Sequence, residues 1–218
     1  MNKKKKKVSL PNQSMGEEIA NSITHGIGIA LSIAALVLLV VFSSQRGDVW
    51  QIVSFSIYGA TLVILYLFST LYHSFRNKKV KFFFRLFDYA SIYLLIAGTY
   101  TPVTLTILRG PLGWTVFGII WGLAILGVVK QFVFFHKFHA FSVITYLIMG
   151  WLIVLVIKPL LSEVSFMFFM WTLIGGLSYT LGIIFFVWDK MPYNHSIWHL
   201  FVLGGSISHF FAFLFYLI

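Results

Sequence analysis

Two histidines near the start of the last apolar stretch, His195 and His199, lie four residues apart and therefore share one face of a helix. A third histidine, His73, ends another apolar stretch one turn after Ser69. Ionisable side chains are costly to bury in hydrocarbon, so each of these is a functional candidate. Three neutral imidazoles with an open fourth position form the ligand set of a catalytic zinc site. The spacing therefore predicts a metal centre shared by two helices.

The histidine pair alone also has a second interpretation. Two histidines at helical spacing occur on hydrated helix faces, where they bond to backbone carbonyls or water. His73 and Asp88, predicted at the same depth, favour the metal. His209 follows His199 by ten residues, which places it about 15 Å deeper in a helix. We therefore expect His209 to be an inward-facing polar residue and not a fourth ligand.

Composition shows which elements must position these side chains. The chain has 218 residues, of which 59% are hydrophobic and only 10% charged, against roughly 25% charged in a soluble domain. Apolar runs of about 20 residues are long enough to cross a bilayer, and they are continuous instead of alternating as in a β-barrel. The fold class is an all-α membrane protein, a seven-transmembrane helical bundle. The predicted spans are 22–42, 50–72, 84–107, 113–134, 139–157, 165–187 and 197–217.

Charge asymmetry predicts the orientation of this bundle. Thirteen of the sixteen Lys and Arg residues fall on one side of the predicted spans and three on the other, which puts the N-terminus in the cytosol and the C-terminus outside. We expect residues 1–18 to be a cytosolic basic segment and 19–218 to be the membrane domain. The net charge of +10 then reflects topology, and no soluble basic domain is present to bind nucleic acid. Cysteine is absent, so a metal site must use His, Asp or Glu.

Polar residues coincide at the predicted cytosolic ends of four helices. Glu18, Asn21 and His25 form one stripe at the start of the first helix. This stripe has two interpretations: capping of the helix N-terminus, or hydrogen bonds that orient the ligand imidazoles. The depth is that of lipid ester and amide bonds. The eight candidate residues are Glu18, Asn21, His25, Ser69, His73, Asp88, His195 and His199.

These residues also form a recognisable set of motifs. Glu18-x2-Asn21-x3-His25, Ser69-x3-His73, Asp88-Tyr89 and His195-x3-His199, carried by seven spans, resemble the bacterial hemolysin III family. That family belongs to the progestin and adiponectin receptor superfamily, and the resemblance covers essentially the full chain. It implies Zn²⁺ held by His73, His195 and His199, with Asp88 at the attacking water and Ser69 nearby. It also implies kinship with the alkaline ceramidases, which cleave a lipid amide.

Three functions follow as expectations for a multi-pass protein of the bacterial plasma membrane. The first is a zinc-dependent hydrolase that uses Asp88 and Ser69 to cleave a lipid amide or ester at the cytosolic leaflet, contributing to membrane lipid homeostasis. The second is a hemolysin-type lytic or pore-forming protein. The third is a sensor of membrane state in which zinc is structural, which Asp88 as a fourth ligand would favour. Membrane lipids are the expected substrate or ligand in the first and third.

Overall fold

The structure, a computed structural model, describes residues 13–134 and 139–218. Seven helices of this described part are long and apolar enough to cross a membrane, which confirms the predicted fold class. Most of the basic N-terminal segment, residues 1–12, lies outside the described residues. The elements are α1 (Met15–Arg46), α2 (Val49–Ser74), α3 (Lys78–Pro102) with a π-helical turn (Val103–Ile107), α4 (Pro111–Phe134), α5 (His139–Trp151), a 3₁₀ segment (Leu152–Val156), α6 (Ile157–Glu163), α7 (Phe166–Phe186) and α8 (Asn194–Tyr216).

Side-chain caps fix where the first two helices begin. Ser14 accepts a hydrogen bond from the Glu17 backbone N–H, and the Glu17 carboxylate accepts one from the Ser14 N–H. This capping box starts α1 at Met15, before residue 22, the predicted start of the first span. The cap satisfies free backbone amides of the first turn, and a prediction from hydropathy does not take such hydrogen bonds into account. Asp48 and Gln51 form the same arrangement at the start of α2.

The third helix also begins earlier than predicted, at Lys78 instead of residue 84. The Asn77 side chain accepts hydrogen bonds from the next turn and caps the helix. Lys and Arg are good helix formers, so the basic run continues the helix. As a result, Lys81 and Arg85 are buried, each about 7% exposed, and do not lie in a solvated loop.

Tight packing holds the bundle together around α3, the most enclosed of the seven spans. The most extensive contacts join α1 to α2, α2 to α3, and α7 to α8, and α1 also packs against α8. Tyr58, Tyr66, Leu62 and Phe213 are fully buried in the core between these helices. Such close packing is what associates helices in lipid, where apolar tails remove the hydrophobic driving force. We call the end of the bundle where α1, α3 and α8 start and α2 stops the histidine end.

Prolines mark two departures from α geometry, because a proline has no N–H and its ring crowds the preceding turn. Pro102 is the last residue of α3 and is followed directly by the π-helical turn. Pro159 lies in the first turn of α6 and has no N–H to offer the chain four residues earlier. The preceding segment is a 3₁₀ helix. The Tyr100 hydroxyl fills this break, because it accepts the Ile153 N–H at 2.7 Å and donates to the Gly150 carbonyl at 3.0 Å.

Candidate metal centre

Three imidazoles converge at the histidine end. His73 comes from the last turn of α2, while His195 and His199 come from consecutive turns at the start of α8. One nitrogen from each ring lies within 4.8 Å of the other two, and the ring centroids are 4.6–5.1 Å apart. These three residues could hold a metal ion, as the sequence predicted.

The hydrogen bonds of His73 fit a metal ligand. Its Nδ1 donates to the Glu18 carboxylate at 2.8 Å, which leaves Nε2 as the nitrogen available to an ion. That Nε2 is buried and has no hydrogen-bond partner in the described part of the chain. Metal-bound histidines characteristically donate their second ring N–H to a carboxylate or a backbone carbonyl, which fixes the tautomer. Glu18 therefore makes the contact with His73 that the second of the two interpretations of the stripe requires.

The α8 ligand His199 is oriented in the same way. Its Nδ1 lies 3.3 Å from the Asn21 carbonyl oxygen and 3.2 Å from the Thr24 hydroxyl. The His25 ring stacks on His199, with the centroids 3.4 Å apart and the planes inclined by 13°. Asn21, Thr24 and His25 all belong to α1. The first helix therefore contacts His199 on α8 as well as His73 on α2.

Asn21 joins the three helices that form the centre. Its amide nitrogen lies 3.4 Å from His73 Nδ1 and donates to the Gln13 side chain at 3.0 Å. Its amide oxygen accepts the Ser196 hydroxyl at 2.6 Å. Asn21 is fully buried, and its amide is paired through Gln13 and Ser196. The capping interpretation of the stripe instead applies to Ser14 and Glu17, the residues just before it.

Lys81 is a member of the site that sequence reasoning missed. Its ammonium group lies 2.8 Å from the second oxygen of Glu18 and donates to the Tyr72 carbonyl at 3.0 Å. The sequence gave no signal for this role, since Lys81 belongs to a basic run that was counted only as topological charge. The ion pair fixes the Glu18 carboxylate between a cation and the His73 imidazole.

Asp88 and Ser69 lie beside the histidines without joining them as ligands. Both line the cavity into which His195 and His199 also project, and Asp88 is only 8% exposed. The Ser69 hydroxyl lies next to the Asp88 carboxyl group, but it makes no hydrogen bond of good geometry within the described residues. The group of side chains close enough to share an ion contains the three histidines and not Asp88. The described residues therefore offer three nitrogens to an ion, and the Asp88 carboxyl group lies outside that set.

The cavity itself has a volume of about 360 Å³ and extends through most of the bundle. One end is polar and is lined by His25, His195, His199, Ser69 and Asp88. From there it passes between α3, α7, α8 and the fifth span, which consists of α5, the 3₁₀ segment and α6. It reaches Leu160 and Phe168 near the opposite end of the bundle. Its walls away from the histidine end are predominantly aliphatic and aromatic. A cavity of this shape has room for an apolar ligand with one polar end beside the histidines.

Replacing Glu18 with glutamine should weaken metal binding by about 10- to 100-fold, the usual effect of losing a hydrogen bond to a metal-bound histidine. The amide cannot pair with Lys81 and accepts more weakly from His73. Competition with a chelator of known affinity measures the change. Glu17→Gln is the matched control, because Gln is also a capping-box residue and Glu17 does not contact a ligand histidine. Equal affinities of the two variants would exclude the orienting role of Glu18.

Comparison with known proteins agrees with these features. A family model described as haemolysin-III related matches residues 13–210. The chain is 51% identical over 212 residues to the Hemolysin-3 of Bacillus cereus, covering 97% of each chain. It is 50% identical to the Hemolysin-3 homolog of Bacillus subtilis, covering 92% of this chain and 94% of that one. It is 32% identical to the human monocyte to macrophage differentiation factor, covering 90% and 82% respectively.

Proposed function

Because this chain belongs to the hemolysin III family of multi-pass membrane proteins, we propose that it is a zinc-dependent hydrolase of a lipid amide or ester. The observation that carries the proposal is a group of three histidines at one end of a long, largely apolar cavity. Two of them, His195 and His199, line that cavity together with the Asp88 carboxyl group and the Ser69 hydroxyl. Kinship with the human relative supports the wider superfamily, to which the resemblance assigned the same ligand set.

The charge distribution supports the cytosolic leaflet as the place of reaction. The histidine end is the end where α1 starts, and the excess of Lys and Arg predicts that this end faces the cytosol. His73 lies three residues before Arg76, so the centre is only a few ångströms below the level of the headgroups. Ester and amide bonds of membrane lipids lie at that depth.

The donor set suits zinc, because the three nitrogen ligands are imidazoles and the chain contains no thiolate. When bound in such a site, zinc activates a water molecule near neutral pH and polarises a carbonyl group. His73, His195 and His199 would hold it, and Glu18 and the Asn21 carbonyl would fix the tautomers of His73 and His199.

Asp88 and Ser69 would carry the proton transfer and the carbonyl recognition. The Asp88 carboxylate accepts a proton from the attacking water as the water oxygen bonds to the carbonyl carbon. It returns the proton to the leaving nitrogen or oxygen as the bond between that atom and the carbonyl carbon breaks. The Ser69 hydroxyl, which lacks a well-formed bond of its own, donates to the carbonyl oxygen as negative charge develops there. The products are a fatty acid and an amine or alcohol, and Asp88 ends in its starting state.

The position of Asp88 favours catalysis over a structural zinc. Structural zinc sites are usually closed by four protein ligands, whereas catalytic ones keep a position open. Asp88 stands outside the group of three histidines and lines the cavity instead. In a non-catalytic sensor, zinc would only join the helices, and a fourth protein ligand would be expected to close the site.

Membrane lysis is the second candidate, because the Bacillus cereus relative carries the name Hemolysin-3. This function requires no open coordination position and no cavity beside a carboxylate. It predicts leakage from liposomes that contain the purified protein, and that leakage should survive removal of the metal.

One experiment tests both candidates. Purified protein is reconstituted into dye-loaded liposomes made from a bacterial total lipid extract supplemented with an N-acyl sphingoid lipid. Released fatty acid and released dye are followed before chelation, after chelation and after zinc is restored. The hydrolase predicts fatty acid release that stops with the chelator and returns with zinc, without leakage. Metal-independent leakage without fatty acid release contradicts the hydrolase and supports lysis.

A further inference from the structure

We infer a second recognition site deep in the cavity, where His209 accepts a hydrogen bond from a hydroxyl group carried on the apolar chain of a lipid. The inference rests on the proposed function in one respect, since it assumes that the cavity holds an acyl chain. It goes further by defining which chains fit best: those hydroxylated well away from the carbonyl.

His209 lies on α8 beyond the metal centre. It follows His199 by ten residues, which corresponds to about 15 Å along a helix. It is about 9% exposed, and it lines the same cavity as His195 and His199. A ligand that reaches the histidine end can therefore also pass His209.

Contacts with α7 fix the orientation of the His209 ring. Its Nε2 lies 3.1 Å from the Thr172 carbonyl oxygen, and because a carbonyl only accepts, Nε2 carries the hydrogen. A Cβ atom at Gly175 would lie 2.4 Å from Cδ2 and 2.5 Å from Nε2, so this ring edge rests directly on the α7 backbone. Glycine is required there for the close approach. The Nδ1 atom lies on the other side of the ring.

That Nδ1 is a buried acceptor without a donor. In a neutral imidazole whose Nε2 carries the hydrogen, Nδ1 offers a lone pair. Within the described part of the chain it has no hydrogen-bond partner. Buried polar atoms of folded proteins are nearly always paired, so an unpaired one needs an explanation such as a ligand.

Away from the histidine end, His209 is the only described lining residue with an unpaired buried polar atom. Among its described lining residues, three have a buried polar atom without a partner: His25, Ser69 and His209. His25 and Ser69 belong to the histidine end, whereas His209 lies deeper. Other polar groups along the walls are satisfied internally; for example, the Thr99 hydroxyl donates to the Leu95 carbonyl. Beyond the histidine end, His209 Nδ1 is therefore the one buried acceptor of the described cavity walls that has no partner. A few well-placed polar groups in an apolar pocket are what give small-molecule sites their specificity.

An unpaired acceptor such as His209 Nδ1 requires a hydrogen-bond donor on the ligand. A hydroxyl group can donate to Nδ1, whereas a ketone or an ether at the same position can only accept. A ketone would place two acceptors against each other, and it would lose its own hydration without compensation. The site should therefore prefer a hydroxylated chain to an unsubstituted one, and reject the corresponding ketone.

A ligand series tests this on the unaltered protein. Octadecanoic acid and its monohydroxy derivatives, with the hydroxyl at successive positions in the second half of the chain, compete with a fluorescent fatty acid on purified protein in detergent. At the preferred position we expect the hydroxy acid to bind about 2- to 12-fold more tightly than octadecanoic acid, as one net hydrogen bond provides. The keto acid of that position should bind more weakly than octadecanoic acid.

Variants assign the preference to the residue. In His209→Leu the hydroxyl preference should disappear while the affinity for octadecanoic acid is retained, which also shows that the protein is folded. Thr99→Val, a second cavity residue whose hydroxyl is already satisfied, should keep the preference.

The outcomes separate this inference from the proposed function. If octadecanoic acid binds but no hydroxylated position binds more tightly in the unaltered protein, water satisfies Nδ1 and only the His209 site is overturned. If octadecanoic acid itself does not bind, the cavity is not an acyl site, and both proposals fail. A preference that persists in His209→Leu would assign the hydroxyl to another residue.

Discussion

A His73→Ala protein is expected to be isolated without metal and without hydrolytic activity. The substitution removes the only ligand contributed by α2, leaving His195 and His199 on a single helix. It also leaves Glu18 with no imidazole to orient. Elemental mass spectrometry of protein purified without chelator should show about one zinc per unaltered chain and background levels in the variant.

The matched control for this experiment is another buried histidine. His209→Leu removes an imidazole that lines the cavity with His195 and His199, about 15 Å from His199 along α8, and it should retain full metal occupancy. Loss of metal in both variants would indicate general damage to the bundle. Full occupancy in His73→Ala would show that the three-histidine centre is not the metal site, and the proposed hydrolase would fall with it.

An Asp88→Asn protein should keep its zinc but lose turnover by a factor of about 10² to 10⁴, the usual contribution of general acid–base catalysis. Asparagine matches aspartate in size and can lie beside Ser69 in the same way, but it cannot take a proton from water. Fatty acid release, expressed per bound zinc, is the quantity to measure in both proteins.

Asp48→Asn provides the comparison, because Asp48 caps α2 at the opposite end of the bundle and asparagine is an equally good cap. Its turnover should match that of the unaltered protein. An Asp88→Asn variant that loses metal together with activity would make Asp88 a ligand, which would favour a structural zinc. An unchanged rate would remove Asp88 from the reaction altogether.

The seven spans could be predicted because each is a continuous apolar run, and bilayer thickness dictates its length. The starts of α1 and α3 could not, because they depend on caps. Ser14 and Asn77 extend α1 and α3 into polar sequence, where hydropathy has no signal. The contacts of the Tyr100 hydroxyl with the 3₁₀ segment and the end of α5 could not be predicted either, because the two parts of the chain come together only through packing.

The candidate site was predictable to the level of residue type and depth. All eight residues singled out from spacing lie at the histidine end, where costly polar groups in lipid stand out against an apolar background. Their partners did not stand out. Lys81 looked like a topological charge, and Thr24 and Ser196 looked like ordinary small polar residues on a helix. Their roles depend on which helix faces which, information that no single helix contains.

Construction of the centre from the second and last helices has a consequence for biosynthesis. His73 enters the membrane early, but His195 and His199 follow only with the final span. A chain that is truncated, stalled or still being inserted therefore has one of the three ligands and cannot hold the ion. Occupancy of the centre would then distinguish finished molecules from nascent ones. Unfinished chains, which lack the complete set of histidines, would be inactive.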